Sequence, residues 1–518
     1  MKGISQLIVL AFLSLMPITL WAQLPANDTE ATEWAREYFA KVQTQEKGGA
    51  VLAVVRDGEI VFQAAYGMAN LEYGIPNDSN TVFHAASLSK QFTAYAALQL
   101  EQQGKLSMDD DVRKYVPEVP DFGHPITLRQ LANHMSGLRD QWNLLYLAGW
   151  RTEDVIFNQD ILDLVTQQDA LNFVPGTKVM YSNTGFTLLA EVVARVSGKT
   201  FAEYTQENLF GPLEMTNSQF YDDHQKVVPN RAYSYQEKDG NVKKHRLNFA
   251  TVGATSLFTT VPDLCKWAVH LNTLEATNST LAKNMNQLAK LNNGELTESA
   301  NGQWGSVKFN GMEWFDHSGS DASYRAYFSR FPESNSAAII LANATPVEAS
   351  GLALGLAELF LHPYFVEDKA EKKDEAATIA AREKTYALIQ LPAERLRQFC
   401  GKYWEPEERY DRTIKIVNDT LIYYRSEDSQ TKLVPVAPNE FKMLGDAKDV
   451  SVFFETDELG EPTMRLNIAD ERTVHFVKYA TGIPLPDTAG SYFSKELNST
   501  LEVSVADGSV HLRAPKRA

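Results

Sequence analysis

The stretch Ser87-Leu88-Ser89-Lys90 lies in the run HAASLSKQFTAYAALQLEQQG, which occupies residues 84–104 of the 518-residue chain. The spacing of its apolar residues predicts a helix from Ser87 to Gln103, ended by Gly104. Residues three apart on a helix share a face, so the Ser87 hydroxyl and the Lys90 amine are expected to touch. A lysine takes the proton of a serine only where burial or nearby positive charge lowers its pKa. The apolar helix favours such burial, although the S-x-x-K spacing alone also arises by chance.

A second polar motif, Tyr181-Ser182-Asn183, lies in PGTKVMYSNTGF between a Pro-Gly turn and a predicted helix at Phe186–Val196. Taken alone it indicates a turn with an Asx cap. Beside Ser87 and Lys90, the tyrosine hydroxyl can relay protons to a leaving group. The asparagine amide can hold both the lysine and a substrate carbonyl.

A third motif, His317-Ser318-Gly319-Ser320, directly precedes a predicted hairpin. Gly319 lets a substrate backbone approach an edge strand closely. The backbone N–H groups of Ser87 and Ser320 are expected to form an oxyanion hole. His317 is expected to supply a polar wall that can carry positive charge. Taken alone, a histidine before a strand has no such implication.

Two hairpins far apart in the sequence predict one antiparallel sheet. The first covers Val51–Ala64, and the second pairs Arg325–Phe331 with Ala337–Ala342. Helical patterns fill most of residues 105–300, and an apolar helix follows at Ala349–Leu361. The expected fold class is therefore α/β (α+β), an antiparallel sheet flanked by helices with an inserted helical subdomain.

The C-terminal part of the sequence has a different hydrophobic pattern from the rest of the chain. Residues 363–390 are predicted to form a charged helical linker, and residues 391–518 a β-rich domain of short alternating strands. Gly401-Lys402-Tyr403-Trp404 and Gly490-Ser491-Tyr492-Phe493 each precede a hairpin pattern, which suggests an internal repeat. The later strands then either close the first barrel or begin a second, truncated repeat from residue 486, unless the similarity is a coincidence of hairpin composition.

The N-terminal segment and the composition of the chain indicate where the protein acts and which partners it lacks. Residues 1–22 resemble a signal peptide, with Lys2 before an apolar run and cleavage expected after Ala22. We therefore expect an exported protein, periplasmic or extracellular, with no membrane span in the mature chain. The formal charge of −17 argues against nucleic acid as a partner. Cys265 and Cys400 are expected to be free thiols, and no spacing indicates a metal site or cofactor.

In this order and context the three motifs resemble the serine β-lactamase and penicillin-binding protein superfamily. The branch they are most similar to contains class C β-lactamases, D-Ala-D-Ala carboxypeptidases, D-aminopeptidases and esterases. The connecting segments ITLRQLANHMSGL (126–138), PGTKVMYSNTGFTLLAEVVARVSGKTFAEY (175–204) and PLEM (212–215) carry the same resemblance. It covers residues 30–362 and implies a β-lactamase-like fold, and the C-terminal region resembles a lipocalin-like barrel.

The resemblance implies a role for each residue of the site. Ser87 is the nucleophile, Lys90 its base and Tyr181 the proton shuttle. The substrate-binding and oxyanion residues are Asn183, His317, Gly319 and Ser320.

The expected function is acyl transfer by a serine hydrolase acting on amides or esters. D-amino-acid-containing peptides, cell-wall-derived ones among them, or small esters are favoured over β-lactams, because His317 stands where β-lactamases have lysine. A β-lactamase or penicillin-binding protein is the alternative. A non-catalytic scaffold on the same fold is more remote, because Ser87, Lys90 and Tyr181 are all present. Ser136 is expected to be structural. Asp321 and Arg325 are candidates to reach the cleft, where Arg325 could pair with a substrate carboxylate, although charges on the surface of a strand are the more common explanation for such residues.

Overall fold

The computed structural model describes residues 25, 27–42, 47–277, 279–305, 308–365, 382–405, 410–426, 429–445, 449–457, 462–468, 472–479, 489–506 and 509–514. The predicted signal peptide lies outside these residues, as do residues 366–381 of the predicted linker. The described chain divides into two compact units. The first takes in the residues up to 365 with 490–502 and 512–514, and the second takes in the remainder.

Helices and strands alternate irregularly along the first unit. Its helices are α1 Asp28–Val42, α2 Ser89–Gln102, α3 Leu128–Ala132, α4 Gln141–Leu147, α5 Asn158–Thr166, α6 Asn183–Ser197, α7 Phe201–Thr205, α8 Val261–Ala276, α9 Thr280–Asn286 and α10 Ala349–Leu361. Its strands are β1 Ala50–Arg56, β2 Glu59–Tyr66, β3 Met68–Asn70, β4 Ile75–Pro76, β5 Phe83–His84, β6 Gln219–Phe220, β7 Tyr235–Lys238, β8 Asn241–Lys244, β9 Leu257–Thr259, β10 Trp304–Gly305, β11 Phe315–Asp321, β12 Tyr324–Phe331, β13 Ser336–Ala342 and β14 Ala344–Thr345.

One antiparallel sheet organises this unit, with strand order β10-β11-β12-β13-β1-β2. The two predicted hairpins meet in it, because β1 pairs with β13 from Ala50 opposite Ala342 to Val55 opposite Ala337. Both strands are apolar runs that are buried almost throughout. Such runs are typical of strands covered on both faces. The predicted sheet with inserted helices is confirmed.

The two faces of the sheet pack against different helices. Val51, Ala53 and Val55 of β1 belong to a large core that includes residues of α2, α6 and α8. Alternate residues of the same strand, such as Leu52, pack in a second core with α1 and α10. This alternation follows from the two-residue period of a strand. It places α2, and with it Ser87 and Lys90, against the first face.

The second unit contains a closed antiparallel barrel. Its strands are β15 Gly401–Glu405, β16 Tyr410–Val417, β17 Thr420–Tyr424, β18 Gln430–Ala437, β19 Glu440–Met443, β20 Val450–Thr456, β21 Pro462–Ile468 and β22 Arg472–Tyr479, preceded by α11 Ala393–Phe399. Large buried side chains fill its core, among them Tyr403, Phe441 and Phe454. The predicted C-terminal all-β domain is therefore confirmed as a barrel with a packed interior.

Three further strands form a separate sheet. They are β23 Gly490–Ser494, β24 Ser499–Ala506 and β25 Ser509–Arg513. Pairing of β15 with β22 closes the barrel, so these strands do not close it. The bounds of β23 lie 89 residues after those of β15, and the same offset relates β24 to β16 and β25 to β17. The same strand lengths and spacings accompany the repeated Gly-x-Tyr-aromatic start. A predicted start of the repeat at residue 486 lies outside the described residues.

Candidate active site

Ser87 lies in a tight turn rather than in the body of the predicted helix. Residues Ala86–Leu88 form a 3₁₀ turn, and α2 begins at Ser89. Ala86 has a φ of +48°, a left-handed conformation that is uncommon for alanine. Its N–H donates to Nδ1 of His84 at 3.1 Å. This contact helps to hold the turn, and such strained turns concentrate at functional sites.

Lys90 is completely buried beneath Ser87. Its Nζ lies 2.9 Å from the Ser87 Oγ, 2.8 Å from the Asn183 Oδ1 and 2.8 Å from the Ala254 carbonyl oxygen. Burial lowers the pKa of Lys90 to about 7, and the carboxylates of Asp321 and Asp140 oppose this shift. The i, i+3 contact expected from the sequence is therefore present, together with a lowered lysine pKa.

Asn183 is fixed from two sides at the first residue of α6. Its side-chain oxygen faces Lys90, while its backbone N–H and its Nδ2 donate to Oδ2 of Asp140 at 2.7 and 2.8 Å. The other oxygen of Asp140 caps α4 by accepting from the Trp142 N–H at 3.0 Å. Asp140 thereby sets which end of the Asn183 amide points at the lysine. The sequence motifs did not indicate Asp140, whose carboxylate comes from a distant segment.

Tyr181 lies along the open side of the site and is 39% exposed. Its ring stacks on His134 with centroids 4.3 Å apart, and the Lys90 Nζ lies 4.9 Å from its centroid. Desolvation raises the pKa of Tyr181, while its hydrogen bond with Ser87 lowers it. At neutral pH the phenol therefore keeps its proton. The tyrosine contacts both members of the Ser–Lys pair, as a proton relay requires.

His134 holds the backbone on either side of this tyrosine. Its Nδ1 accepts from the Ser182 N–H at 3.1 Å, and its carbonyl oxygen accepts from the Met180 N–H at 2.8 Å. It is also buried, which lowers its pKa well below the usual value. A neutral imidazole can keep Nδ1 as an acceptor. The sequence reasoning did not select His134 as a site residue.

The third motif lies inside β11, not ahead of a strand. His317 and Gly319 alternate with Ser318 and Ser320 along it, so the two pairs face opposite sides. A Cβ on Gly319 would come within 2.5 Å of the Ala85 carbonyl oxygen. Gly319 therefore permits the contact between β11 and the Ser87 turn. The expected close approach is present, but its partner in this structure is the protein's own backbone.

The expectation that His317 can carry positive charge is wrong. The ring is 2% exposed, and burial together with Lys90 lowers its pKa to about 3. Its Nδ1 lies 2.5 Å from the Ser318 carbonyl oxygen, so the proton of the neutral ring is placed on Nδ1. Its Nε2 is then an acceptor, and it has no hydrogen-bond partner among the described residues.

The three motifs surround one open cleft of about 380 Å³, large enough for a small acyl group. It is lined by Ser87, Trp142, Tyr181, Asn183, Trp304, His317, Ser318, Ser320 and Asp321. The structure thus brings together the seven predicted site residues, with Lys90 below the cleft floor and Gly319 behind Ser87. Trp142 and Trp304 were not predicted, because no local pattern distinguishes them from core tryptophans.

Asp321 and Arg325 have different positions. Asp321 lines the cleft, as the sequence allowed. The Arg325 Nη1 donates to the carbonyl oxygens of Ala322 and Tyr324, and Arg325 is not among the lining residues. The structure therefore gives no support to a carboxylate-binding role for Arg325. Ser136 is 1% exposed, in keeping with a structural role.

The described residues also bear on metal binding, membrane-spanning helices and the state of the two cysteines. Over the part of the chain that the structure describes, no three His, Cys, Asp or Glu side chains are grouped closely enough to hold a metal ion. In the same residues no helix has the length and apolarity to cross a membrane. Cys265 and Cys400 are free thiols, as expected. Burial raises the pKa of the Cys265 thiol to about 12, which makes it unreactive.

Comparison with known proteins places this site in context. Penicillin-binding protein 4* of Bacillus subtilis is 35% identical over 192 residues, 36% of this chain and 41% of that protein. A D-aminopeptidase of Brucella anthropi is 32% identical over 197 residues, 38% of this chain and 37% of the enzyme. The chain thus spans about two fifths of the length of these curated relatives.

Structural comparison extends the similarity over more of the chain. The octameric penicillin-binding protein homologue of Pyrococcus abyssi superposes with a TM-score of 0.56 at 21% identity. The superposition covers 86% of this chain and 99% of that one, which shows a shared fold. The family model described as Beta-lactamase matches residues 34–360, which hold all three motifs and make up more than half of the chain. With the fold and the motif geometry in agreement, the chain belongs to the beta-lactamase family.

Proposed function

We propose that the protein is a serine hydrolase that cleaves amide or ester bonds through an acyl-enzyme on Ser87. Its substrates are D-amino-acid-containing peptides or small esters. The apolar run at residues 7–13 supports action outside the cytoplasm, in the periplasm or the medium. The relatives named D-aminopeptidase support a substrate with D-residues.

One observation carries this proposal: the three contacts of the Lys90 Nζ. A neutral amine has two N–H donors and one lone pair. The oxygens of Asn183 and Ala254 can accept the two N–H groups, which leaves the lone pair for the Ser87 hydroxyl at 2.9 Å. The lowered pKa of Lys90 makes this neutral form accessible near pH 7. Geometry and charge state therefore both support Lys90 as the base.

The reaction follows from these positions. Ser87 Oγ attacks the acyl carbon while its proton passes to the Lys90 Nζ, and the carbonyl oxygen becomes an oxyanion. The N–H groups of Ser87 and Ser320 would stabilise that charge. The tetrahedral intermediate collapses when the leaving amine or alcohol takes a proton from the Tyr181 phenol, which recovers one from Lys90. Water then attacks the acyl-enzyme by the same route, releasing the acid and restoring Ser87.

Neutral His317 supports the choice of substrate class. In β-lactamases of this branch a lysine stands at this position, and here it is replaced by a neutral ring. A cation beside the acyl group is therefore missing from the lining residues that the structure describes. This weakens the case for fast β-lactam turnover while leaving acylation by other substrates unaffected.

The proposal is tested with the mature protein, Ser87→Ala and Ser136→Ala as the matched control. Each is incubated with a fluorophosphonate, a penicillin, a p-nitrophenyl ester and a D-amino-acid amide, and adduct mass and product release are followed. We expect Ser87→Ala to lose adducts and turnover by at least about 10³-fold, while Ser136→Ala keeps both. Stable penicillin adducts with ester or amide turnover support the hydrolase, and rapid penicillin turnover supports the β-lactamase alternative. A folded wild-type protein with no Ser87-dependent adduct or turnover refutes the proposal in favour of a scaffold.

A further inference from the structure

The lining of the cleft carries a net negative charge from a single carboxylate. Of its nine lining residues, which are all described, only Asp321 carries a formal charge at neutral pH. His317 is neutral because its pKa is about 3, and Lys90 lies below the floor with its Nζ occupied by three oxygens. A ligand entering this cleft therefore meets one carboxylate and no lining lysine or arginine.

Asp321 is held in place without being neutralised. Its Oδ2 accepts a hydrogen bond from the Thr255 hydroxyl and lies 3.8 Å from Nδ1 of His84. The His84 ring is neutral, since burial lowers its pKa to about 3. Thr255 leaves the other carboxylate oxygen available. The side chain remains 14% exposed, which leaves room for a ligand to approach it.

The electrostatic surroundings of Asp321 favour an added cation. Burial raises the pKa of its carboxyl group, and the Thr255 hydrogen bond with the charges of Lys90 and Arg325 opposes that rise. Among the described residues neither Lys90 nor Arg325 forms a contact ion pair with it, and Arg325 donates to backbone oxygens instead. A buried carboxylate without a contact cation gains from a charged donor.

The position of Asp321 limits which substrate atom it can reach. Asp321 directly follows Ser320, whose N–H is the expected oxyanion donor, and both residues line the cleft with Ser87. The carboxylate is connected to the reaction centre through Thr255, whose neighbour Ala254 accepts from Lys90. The α-amine of an aminoacyl substrate is one carbon away from the acyl carbon. Because Asp321 lines the same cleft of about 380 Å³ as Ser87 and Ser320, its carboxylate is available to that amine.

We propose that Asp321 binds the α-ammonium group of the residue that acylates Ser87, so that the enzyme acts on substrates with a free amino-terminal residue. This inference rests on the proposed acyl-enzyme function. The selected class is aminoacyl amides, aminoacyl esters and the amino-terminal bond of peptides. An N-acylated residue lacks the cation, and a substrate with a carboxylate near the scissile bond is repelled by Asp321.

The experiment compares two substrates that differ only at the amine, D-alanine p-nitroanilide and N-acetyl-D-alanine p-nitroanilide. We expect wild-type protein to cleave the free-amine substrate with at least about 10-fold higher kcat/KM. Asp321→Asn keeps the shape of the side chain and should lower kcat/KM for the free amine about 10- to 100-fold, the usual effect of losing a charged hydrogen bond. Because the Asp321 carboxylate also raises the pKa of Lys90, the rates are compared above pH 8, where the Lys90 amine is neutral with either side chain. There the acetylated substrate and p-nitrophenyl acetate should lose a smaller factor in kcat/KM than the free-amine substrate.

Asp316→Asn is the matched control, because Asp316 lies on the same strand but not in the cleft lining. It should leave the ratio of the two anilide rates unchanged. The inference is overturned if Asp321→Asn slows all three substrates equally, or if wild-type protein prefers the acetylated anilide. Ser87-dependent hydrolysis of p-nitrophenyl acetate without cleavage of the free amine would also overturn it, while leaving the hydrolase proposal intact. Loss of all Ser87-dependent reaction, by contrast, would refute the hydrolase itself.

Discussion

At the scale of single residues, the decisive feature is a lysine whose surroundings fit its neutral form. Lys90 is fully buried, and its two acceptors other than Ser87 match the two N–H groups of an uncharged amine. Tyr181 has the opposite shift, since its pKa is raised. Two neighbouring groups with pKa values displaced in opposite directions have distinct proton-transfer roles. These opposite shifts support the proposed roles, with the amine as acceptor of the Ser87 proton and the phenol as proton donor to the leaving group.

Acylation of Ser87 should depend on pH through Lys90. Because burial lowers the folded-state pKa of Lys90 to about 7, the amine is protonated below that pH and cannot accept a proton. The rate of p-nitrophenyl acetate acylation should fall about tenfold for each pH unit below 7 and level off above it. Stopped-flow measurements from pH 5 to 9 check this, with circular dichroism confirming the fold at each pH. His317 does not titrate in this range, as its pKa is about 3.

Lys90→Arg separates this effect from other titrations. Arginine stays protonated throughout the range, so this variant should lose acylation at every pH. A flat profile for wild-type protein between pH 5 and 9, or an active arginine variant, would exclude Lys90 as the base.

The sequence predicted the residues that lie near one another along the chain better than the contacts that set their chemistry. The Ser87–Lys90 pair follows from helix periodicity, and the three motifs follow from their order. Ala254 contacts Lys90, and Asp140 contacts Asn183, only through the tertiary fold, so no local pattern indicates them. The charge of His317 was wrongly predicted because charge depends on burial, which spacing does not reveal.

At the scale of elements, β11 and the turn before α2 form one rigid contact. Gly319 on β11 lies against Ala85 and Ala86, where a Cβ would be 2.5 Å from a backbone oxygen and 3.3 Å from a methyl group. Because the nearest neighbour is a backbone oxygen of Ala85, it cannot move aside as a flexible side chain would. This contact limits how closely β11 approaches the Ser87 turn, and the proposed oxyanion hole between Ser87 and Ser320 depends on that approach.

Gly319→Ala should therefore impair catalysis more than stability. The methyl group must push β11 away from the turn, and a shift of about 1 Å is expected to lower the acylation rate about 100-fold. Overpacking should cost about 1–3 kcal/mol of unfolding free energy. Acylation kinetics and urea unfolding measure the two effects on the same samples.

Gly104→Ala provides the comparison for that variant. Gly104 has a φ of +69°, and a Cβ added there would meet no heavy atom within 4 Å. Alanine there should cost roughly 1–2 kcal/mol through backbone strain, with an unchanged acylation rate. Equal rate losses in both variants would mean that Gly319 acts through general stability and not through the spacing of the site.

At the scale of the whole molecule, the chain contains separate hydrophobic cores. Phe441 is fully buried in the barrel core of the second unit, and Ile340 is fully buried in the sheet of the first. The described residues of these clusters do not overlap. Each unit therefore has the packed interior that independent folding requires.

Two unfolding transitions are expected in calorimetry of the full chain. Phe441→Ala should destabilise the barrel transition by about 3–5 kcal/mol and leave Ser87 acylation unchanged. Ile340→Ala, a truncation of matched burial, should lower the other transition and reduce acylation as that unit unfolds. A single transition that shifts with either variant would show that the units unfold as one.

The position of β1 beside β13 has a consequence for when the protein acquires its chemistry. Ala50 pairs with Ala342, so the central ladder joins strands that are separated by 292 residues of chain. Closing so long a loop is slow, and it cannot begin until the later strand has been synthesised. At ribosomal rates of about 5–20 residues per second, that interval is roughly 15–60 seconds. Until then the sheet that contains β11 is incomplete, and β11 cannot pack against the Ser87 turn. A nascent chain therefore contains Ser87 and Lys90 long before the sheet around them is complete, so the proposed acyl transfer is expected only once the domain is whole.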